Sequence, residues 1–197
     1  MLGLVRADIQ ASIAVKQALL QDEALLEKVT QLADDCLAAL KRGGKVIFAG
    51  NGGSFADAQH LSAEFTSRFM FDRAPLASLA LGTNNSAISA IGNDYGYELV
   101  FARELQGIAH PEDIFIPIST SGNSANILAA VRMARELGIR TVAWTGVSGG
   151  GLRELCDCIR MPSGETARIQ ECHILIGHIL CGLVEAAYFD RRETPNA

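Results

Sequence analysis

Four polar residues set among apolar ones are where this chain could do chemistry: His60 and Glu64 in one segment, Gln170 and His178 in another. His60 and Glu64 are spaced i and i+4, which on a helix places both side chains on one face, one turn apart. A solvent-exposed pair would show the same spacing. Two features argue for more: the segment begins in the loop Gly50-Asn-Gly-Gly-Ser54, and Ala56, Ala58, Leu61, Ala63 and Phe65 read as buried. Polar groups on a mostly buried helix need partners or a task. The second segment, Arg168-Ile-Gln-Glu-Cys-His-Ile-Leu-Ile-Gly-His178, is apolar almost all round (Ile169, Ile174, Leu175, Ile176, Ile179, Leu180), the pattern of a helix central in its assembly. Gln170 and His178 are two turns apart, about 12 Å along a helix axis. One ligand reaches both only if this helix crosses the site obliquely. His173 points to a different side and reads as a structural histidine.

A further pair of segments suits anion binding. Ser119-Thr-Ser-Gly-Asn-Ser124 follows the apolar run Ile114-Phe-Ile-Pro-Ile118, and Gly50-Asn-Gly-Gly-Ser54 follows Lys45-Val-Ile-Phe-Ala49. Each reads as a buried strand, a loop rich in hydroxyls and free backbone N–H groups, then a helix. A helix N-terminus carries partial positive charge and unpaired donors, so such loops hold anions. Neither loop contains Lys or Arg. The bound group is therefore expected to be a modest anion, such as one sugar phosphate.

The elements that must position these residues follow from pattern and punctuation. The first forty residues read as helix, broken near Gln21-Asp-Glu23 and ended by Gly43-Gly44. Strands are expected at 45–49, 76–81, 113–118, 140–145 and 157–161, and helices at 54–69, 84–92, 96–108, 124–137, 150–155 and 165–189. Alternation of this kind implies right-handed βαβ crossovers and an open parallel sheet covered by helices on both faces. Ligands on such sheets sit beyond the carboxyl ends of the strands, where both Ser/Gly loops fall. With no linker, repeat or low-complexity run, residues 1–197 read as one domain. Residues 1–42 form an N-terminal helical region that either covers the sheet or packs on another subunit.

Composition narrows the function classes. A chain of 197 residues with 49% apolar and 20% charged residues suits a compact globular domain. Net charge of −5 and a pI near 5.4 argue against a general binder of nucleic acid or membrane surfaces. No apolar stretch reads as a bilayer span, and no signal peptide is evident. Cys36, Cys156, Cys158, Cys172 and Cys181 are an odd set without a C-x-x-C pair. They read as reduced, non-catalytic thiols, and the expected compartment is the cytoplasm.

Taken together, Gly50-Asn-Gly-Gly-Ser54, Asp57-Ala-Gln-His60, Glu64, Gly92-Asn-Asp-Tyr-Gly96, Ser119-Thr-Ser-Gly-Asn-Ser124 and Arg168-Ile-Gln-Glu with His178 resemble the phosphoheptose isomerases of the sugar isomerase (SIS) domain superfamily. The serine loop alone would mark only a sugar-phosphate-binding SIS domain. The set His60, Glu64, Gln170 and His178 is narrower. The resemblance implies a three-layer α/β/α sandwich on a flavodoxin-like five-stranded parallel sheet with an N-terminal helical extension. It also implies a homotetramer with active sites built from more than one subunit. The implied reaction converts sedoheptulose 7-phosphate into D-glycero-D-manno-heptose 7-phosphate, toward activated heptose for bacterial surface polysaccharide such as lipopolysaccharide. By position, Ser119, Thr120, Ser121 and Ser124 would hold the phosphate. Asn51, Gly52, Gly53, Asn93 and Asp94 would line the sugar site, with Glu64 and Gln170 also touching substrate. Glu64 and His178 match the acid/base pair. His60, Glu64, Gln170 and His178 match a set that binds Zn2+ in some members, one ion per subunit, with no organic cofactor.

Residue chemistry is consistent with that activity. Aldose–ketose isomerisation moves a proton between adjacent carbons through an enediolate and needs one group for the carbon proton and one for the oxygens. A partly buried carboxylate and an imidazole suit these tasks, in either assignment. Two His, one Glu and one Gln can form a tetrahedral N/O zinc site, although Gln is a weak neutral ligand. Ala167 stands where family members variously carry Asp or Pro, so an acid/base role for an Asp there cannot operate in this chain. Two other readings share part of the pattern: a non-enzymatic SIS protein of the DnaA initiator-associating type, and a sugar-phosphate sensor. The first lacks the catalytic set, and the second leaves Glu64 and His178 without a task.

Overall fold

A computed structural model describes residues 1–191. Helices α1 (Leu2–Gln21) and α2 (Glu23–Lys41) lead into β1 (Val46–Gly50), α3 (Gly53–Thr66), β2 (Ser78–Ala80), α4 (Asn85–Tyr95), α5 (Val100–Ile108), β3 (Ile114–Ile118), α6 (Ala125–Glu136), β4 (Arg140–Thr145), β5 (Asp157–Arg160) and α7 (Thr166–Tyr188). Single 3-10 turns lie at Tyr97–Leu99 and Gly150–Glu154. All five expected strands form and pair in parallel, in the order β2-β1-β3-β4-β5. Side chains alternate across the sheet with the period-two rule of a strand. Phe48, Ile116 and Trp144 face a core shared with α2, α3 and α7. Ile47, Phe115 and Ala143 face a core shared with α5 and α6. These are the three layers of the expected sandwich.

The strand order reverses between β1 and β3, which pair directly although β2 comes between them in the chain. At such a switch point the loops leaving the two strands diverge to opposite faces and open a crevice. The loops beginning at Asn51 and Ser119 leave this point of the sheet.

The two N-terminal helices differ in how much of their apolar surface the sheet covers. Asp22 breaks the helix, and its carboxylate accepts the Leu25 N–H at 3.0 Å as the cap of α2. Helix α2 buries Leu25, Val29, Leu32, Ala33, Cys36, Ala39 and Leu40 against the sheet and α7. Helix α1 buries Leu19 alone and leaves Leu2, Leu4, Val5, Ile9, Ile13 and Leu20 exposed. It is tied to α7 by polar contacts: Ser12 donates to Glu171 at 2.7 Å, and Arg168 to the Asp8 carbonyl at 2.6 Å.

Several expectations need correction, among them the helix expected at 150–155, which forms only a 3-10 turn over Gly150–Glu154. Helix α7 is long and apolar enough to cross a membrane by length and composition, contrary to the sequence reading. Half of its most apolar stretch is buried within the structure, as a core helix of the sandwich requires. Helix α3 ends at Thr66 rather than 69, because Arg73 takes the carbonyls of Glu64, Phe65 and Ser67 and draws the chain away. Ala56 and Ala63 on that helix are exposed, while Ala58, Leu61 and Phe65 are buried as expected.

Helices α3 and α7 lie side by side and run the same way. Gly53 is beside Gln170, Leu61 beside Gly177, and the turn after α3 beside Glu185. A Cβ on Gly177 would stand 2.6 Å from both methyls of the fully buried Leu61. The missing side chain at 177 is what lets the two helices approach next to His178.

Candidate active site

Three of the four polar residues singled out at the start come together. The Nε2 atoms of His60 and His178 are 2.8 Å apart, and Glu64 Oε1 is 3.4 Å from His60 Nε2. One donor atom from each of His60, Glu64 and His178 lies within 4.8 Å of the others. His60 is the most open of the three, with 47% of its side chain exposed against 22% for Glu64. Two ring nitrogens and a carboxylate facing one point form a donor set that fits zinc, which accepts imidazole and carboxylate ligands.

Gln170 lies one step back along the same pair of helices. Its Nε2 donates to both oxygens of Asp57, at 2.7 and 2.9 Å. A carboxylate only accepts, so the amide nitrogen must face Asp57 and Oε1 is left as the free donor atom. Helix α7 therefore does not cross the site. It runs alongside α3, and the stripe Gly53, Asp57, His60, Glu64 meets Gln170 and His178 in order. Asp57 is 5% exposed. Burial pushes its carboxyl above the usual carboxylate range, partly offset by the Gln170 amide and by His60 and His178.

The serine loop is built on backbone contacts. Gly122 has φ +68°, and a Cβ there would stand 2.1 Å from the Gly149 carbonyl oxygen, so the loop and the turn after β4 pack main chain on main chain. Asn123 stitches the two, accepting the Gly151 N–H at 2.8 Å. The Ser119 and Ser124 hydroxyls are 3.1 Å apart, while Ser121 is exposed and Thr120 half-buried. Ser124 is the N-cap of α6 but makes no side-chain capping bond, which leaves first-turn amides open for an anion.

The Gly50 loop is tied to the serine loop by a reciprocal amide pair. Asn51 Nδ2 donates to Asn126 Oδ1, and Asn126 Nδ2 to Asn51 Oδ1, both at 2.9 Å. The Tyr97 hydroxyl donates to the same Asn51 oxygen at 3.3 Å. Gly52 precedes α3 with φ +55°, and Gly53 opens the helix beside Gln170. Asn93 and Asp94 are placed differently. They lie exposed on α4, bonded to each other at 2.8 Å, and line an open depression of about 540 Å³ with Asn85, Ser86 and Ser89. Among the described residues, no hydrogen bond joins them to either loop. The larger depression, about 780 Å³, is at the opposite end of the sheet around Arg135, Arg140 and Arg153. Arg140 there is already engaged by Asp35 and Asp157.

His173 is fully buried in α7, and its Nε2 is 3.3 Å from the Thr145 carbonyl. A carbonyl only accepts, so Nε2 carries the proton. Burial pulls the pKa from 6.5 down to about 4, partly opposed by that hydrogen bond. The unfolded chain takes up this proton near 6.5 and the folded chain does not. The contribution to stability is therefore complete above 6.5 and is lost as pH falls through the window to about 4, roughly 3 kcal/mol in all. Urea denaturation near neutrality and at about pH 4.5 should show this loss, with a shallower pH slope in His173→Asn. Equal slopes in the two proteins would remove the assignment.

Residues 11–146 match the SIS domain family, so the fold and its serine loop define a SIS-domain protein. A phosphoheptose isomerase of Aneurinibacillus thermoaerophilus is 55% identical over 186 residues, covering 94% of this chain and 94% of that protein. One from Burkholderia pseudomallei is 52% identical over 90% of this chain and 91% of its own length. The structures of phosphoheptose isomerases from Francisella tularensis and Neisseria gonorrhoeae superpose with TM-scores of 0.89 and 0.87, at 35% and 40% identity. Both alignments cover 93% of this chain, and 97% and 98% of those chains. The chain belongs to the phosphoheptose isomerase family and is an enzyme that interconverts an aldose and a ketose.

Sequence reasoning passed over several residues of the site. Asp57 sits three residues before His60 on the same helix face, and that periodicity could have found it. Asn126 and Tyr97 carry no local signal, because their partner Asn51 is distant in the chain. Phe69, whose ring stacks on His178 with centroids 5.7 Å apart, falls in a stretch that the sequence predicts as helix but that lies beyond the end of α3.

Proposed function

We propose that the chain converts sedoheptulose 7-phosphate into D-glycero-D-manno-heptose 7-phosphate at the crevice between β1 and β3. The observation that carries this reading is the convergence of His60, Glu64 and His178 on the facing sides of α3 and α7, in a chain whose β1 and β3 each run into an anion-type loop. In the ketose the carbonyl is at C2. Glu64 takes a proton from C1 as His178 gives one to the C2 oxygen, leaving an enediol. Glu64 then returns its proton to C2 while His178 removes the proton from the C1 oxygen. An aldehyde forms at C1, and both groups regain their starting states. A zinc ion held by His60, Glu64 and His178 would polarise the sugar oxygens, while Gln170, the fourth residue of the expected set, is bonded to Asp57 instead. Ser119, Thr120, Ser121 and Ser124 hold the phosphate through hydroxyls and the N-terminus of α6. Asn51, Gly52 and Gly53 line the sugar, with Asn93 and Asp94 reaching it from the α4 flank. Product formation from sedoheptulose 7-phosphate, with and without added zinc, tests the reading. No turnover in either condition overturns it.

The serine loop carries its own test. Ser121→Ala with Ser124→Ala removes two hydroxyls that would each bond a charged group, interactions of about 1.5–3 kcal/mol each. KM should rise at least tenfold with kcat changed less. A native KM would remove the phosphate assignment.

Residues 1–197 act as one domain, with residues 1–42 used in assembly. The exposed apolar positions of α1, with Ile179 and Leu183 of α7, support packing on further copies as a homotetramer. Light scattering that gave the mass of one chain would sink that reading. All five cysteines are free, which suits a reducing cytoplasm. The product would feed activated-heptose synthesis for surface polysaccharide such as lipopolysaccharide.

A further inference from the structure

His178 is held in an unusual way. A histidine that works through one ring nitrogen is normally oriented by a hydrogen bond at the other. His178 Nε2 faces His60, and among the described residues Nδ1 makes no hydrogen bond. Its flat face is covered instead. The ring of Phe69 lies parallel to the imidazole, with centroids 5.7 Å apart and planes 17° apart. The His60 ring meets the imidazole edge-on, at 5.1 Å and 79°. Gly182, one turn beyond His178, lies next to the same ring: a Cβ there would stand at ordinary van der Waals distance, 3.5 Å, from Phe69.

Phe69 sits in the segment between α3 and β2, which has no regular structure of its own, yet its backbone is firmly held. Glu185 accepts the Phe69 N–H at 2.9 Å, the Met70 N–H at 2.7 Å and Arg73 Nε at 2.8 Å. Arg73 in turn donates to the carbonyls of Glu64 at 2.8 Å and Phe65 at 2.7 Å. The two side chains are 3% and 1% exposed. A buried ion pair is a poor source of stability unless its remaining atoms are bonded, and here they are. The proton chemistry uses neither residue. What the pair fixes is the end of the helix that carries Glu64 and the backbone that carries the Phe69 ring.

We propose that Phe69, anchored by the Arg73–Glu185 pair, is the positioning residue that sets the orientation of the His178 imidazole. An aromatic face takes the place of the missing hydrogen bond at Nδ1. The inference rests on the proposed role of His178, and its test separates the two. Phe69→Leu keeps an apolar side chain but loses the flat face, while Phe69→Tyr keeps the face. Zinc affinity is measured on metal-stripped protein by competition with a chromophoric chelator, alongside kcat, KM and melting temperature. The histidine ring resonances of the metal-free protein are assigned by loss of the His178 set in His178→Asn. In Phe69→Leu, zinc affinity and kcat should each fall about tenfold, the low end for loss of an orienting partner. KM and melting temperature should stay near native. The His178 ring lines, single in the native protein, should broaden or double. Phe69→Tyr should restore all of these. A Phe69→Leu protein with native zinc affinity, native kcat and one sharp set of His178 lines overturns the proposal. Failure of the native protein to bind zinc or turn over would instead overturn the functional reading, and the His178 lines of metal-free protein would still decide this one.

Discussion

Glu64→Gln is expected to lower kcat about a thousandfold, within the range for loss of a positioned acid–base group. The change preserves volume and shape, and the amide cannot take a proton. Glu64 is half-buried on the face of α3 that meets α7, so neither the core nor the helix contact is disturbed. The variant should therefore keep the native melting temperature and assembly. The assay needs two readouts: appearance of aldose, and exchange of the C1 hydrogen with deuterated solvent. If Glu64 takes the carbon proton, both vanish together. If exchange persists while aldose formation stops, the carboxylate serves the oxygens and His178 is the carbon base. A kcat within tenfold of native would remove Glu64 from the chemistry.

Arg73→Leu should cost about 3–5 kcal/mol of stability, the usual penalty for stripping one partner from a buried ion pair. The loss exceeds that of a surface pair because Glu185, 1% exposed, would keep its charge with only the Phe69 and Met70 N–H groups as partners. The carbonyls of Glu64 and Phe65 would lose their donor as well. Adding Glu185→Leu should cost less than the sum of the two single changes, since the stranded charge is gone. Urea denaturation of the two single variants and the double variant measures this directly. A loss below about 1 kcal/mol for Arg73→Leu would show that the pair behaves like an exposed one.

Much of the molecule was legible in the sequence for identifiable reasons. The strands are short apolar runs bounded by Gly, Ser and Asp, and all five appear within one to two residues of their expected limits. The parallel sheet follows from their alternation with helices. His60 and Glu64 declared themselves through helical spacing. What the sequence could not show was register between distant elements. Gln170 and His178 were expected to share one ligand only across an oblique helix, whereas parallel alignment of α3 with α7 gives each its own partner. The pairing of Asn51 with Asn126 and of Arg73 with Glu185 depends on the same tertiary alignment. The end of α3 was misplaced because propensity favours continuing the helix, and a distant acid–base pair overrides it.

The side-by-side course of α3 and α7 bears on how this chain can change over evolutionary time. Each residue of a helix advances about 1.5 Å and turns by roughly 100°. A single insertion between Asp57 and Glu64, or between Gln170 and Glu185, would swing every later side chain off the shared face. Substitutions at the outward positions of these helices move nothing. Lineages should therefore tolerate drift in letters here far better than drift in length, and the reverse should hold at the exposed ends of the connecting turns. The two helices work as matched rulers, and the polar groups of the candidate site are their graduations.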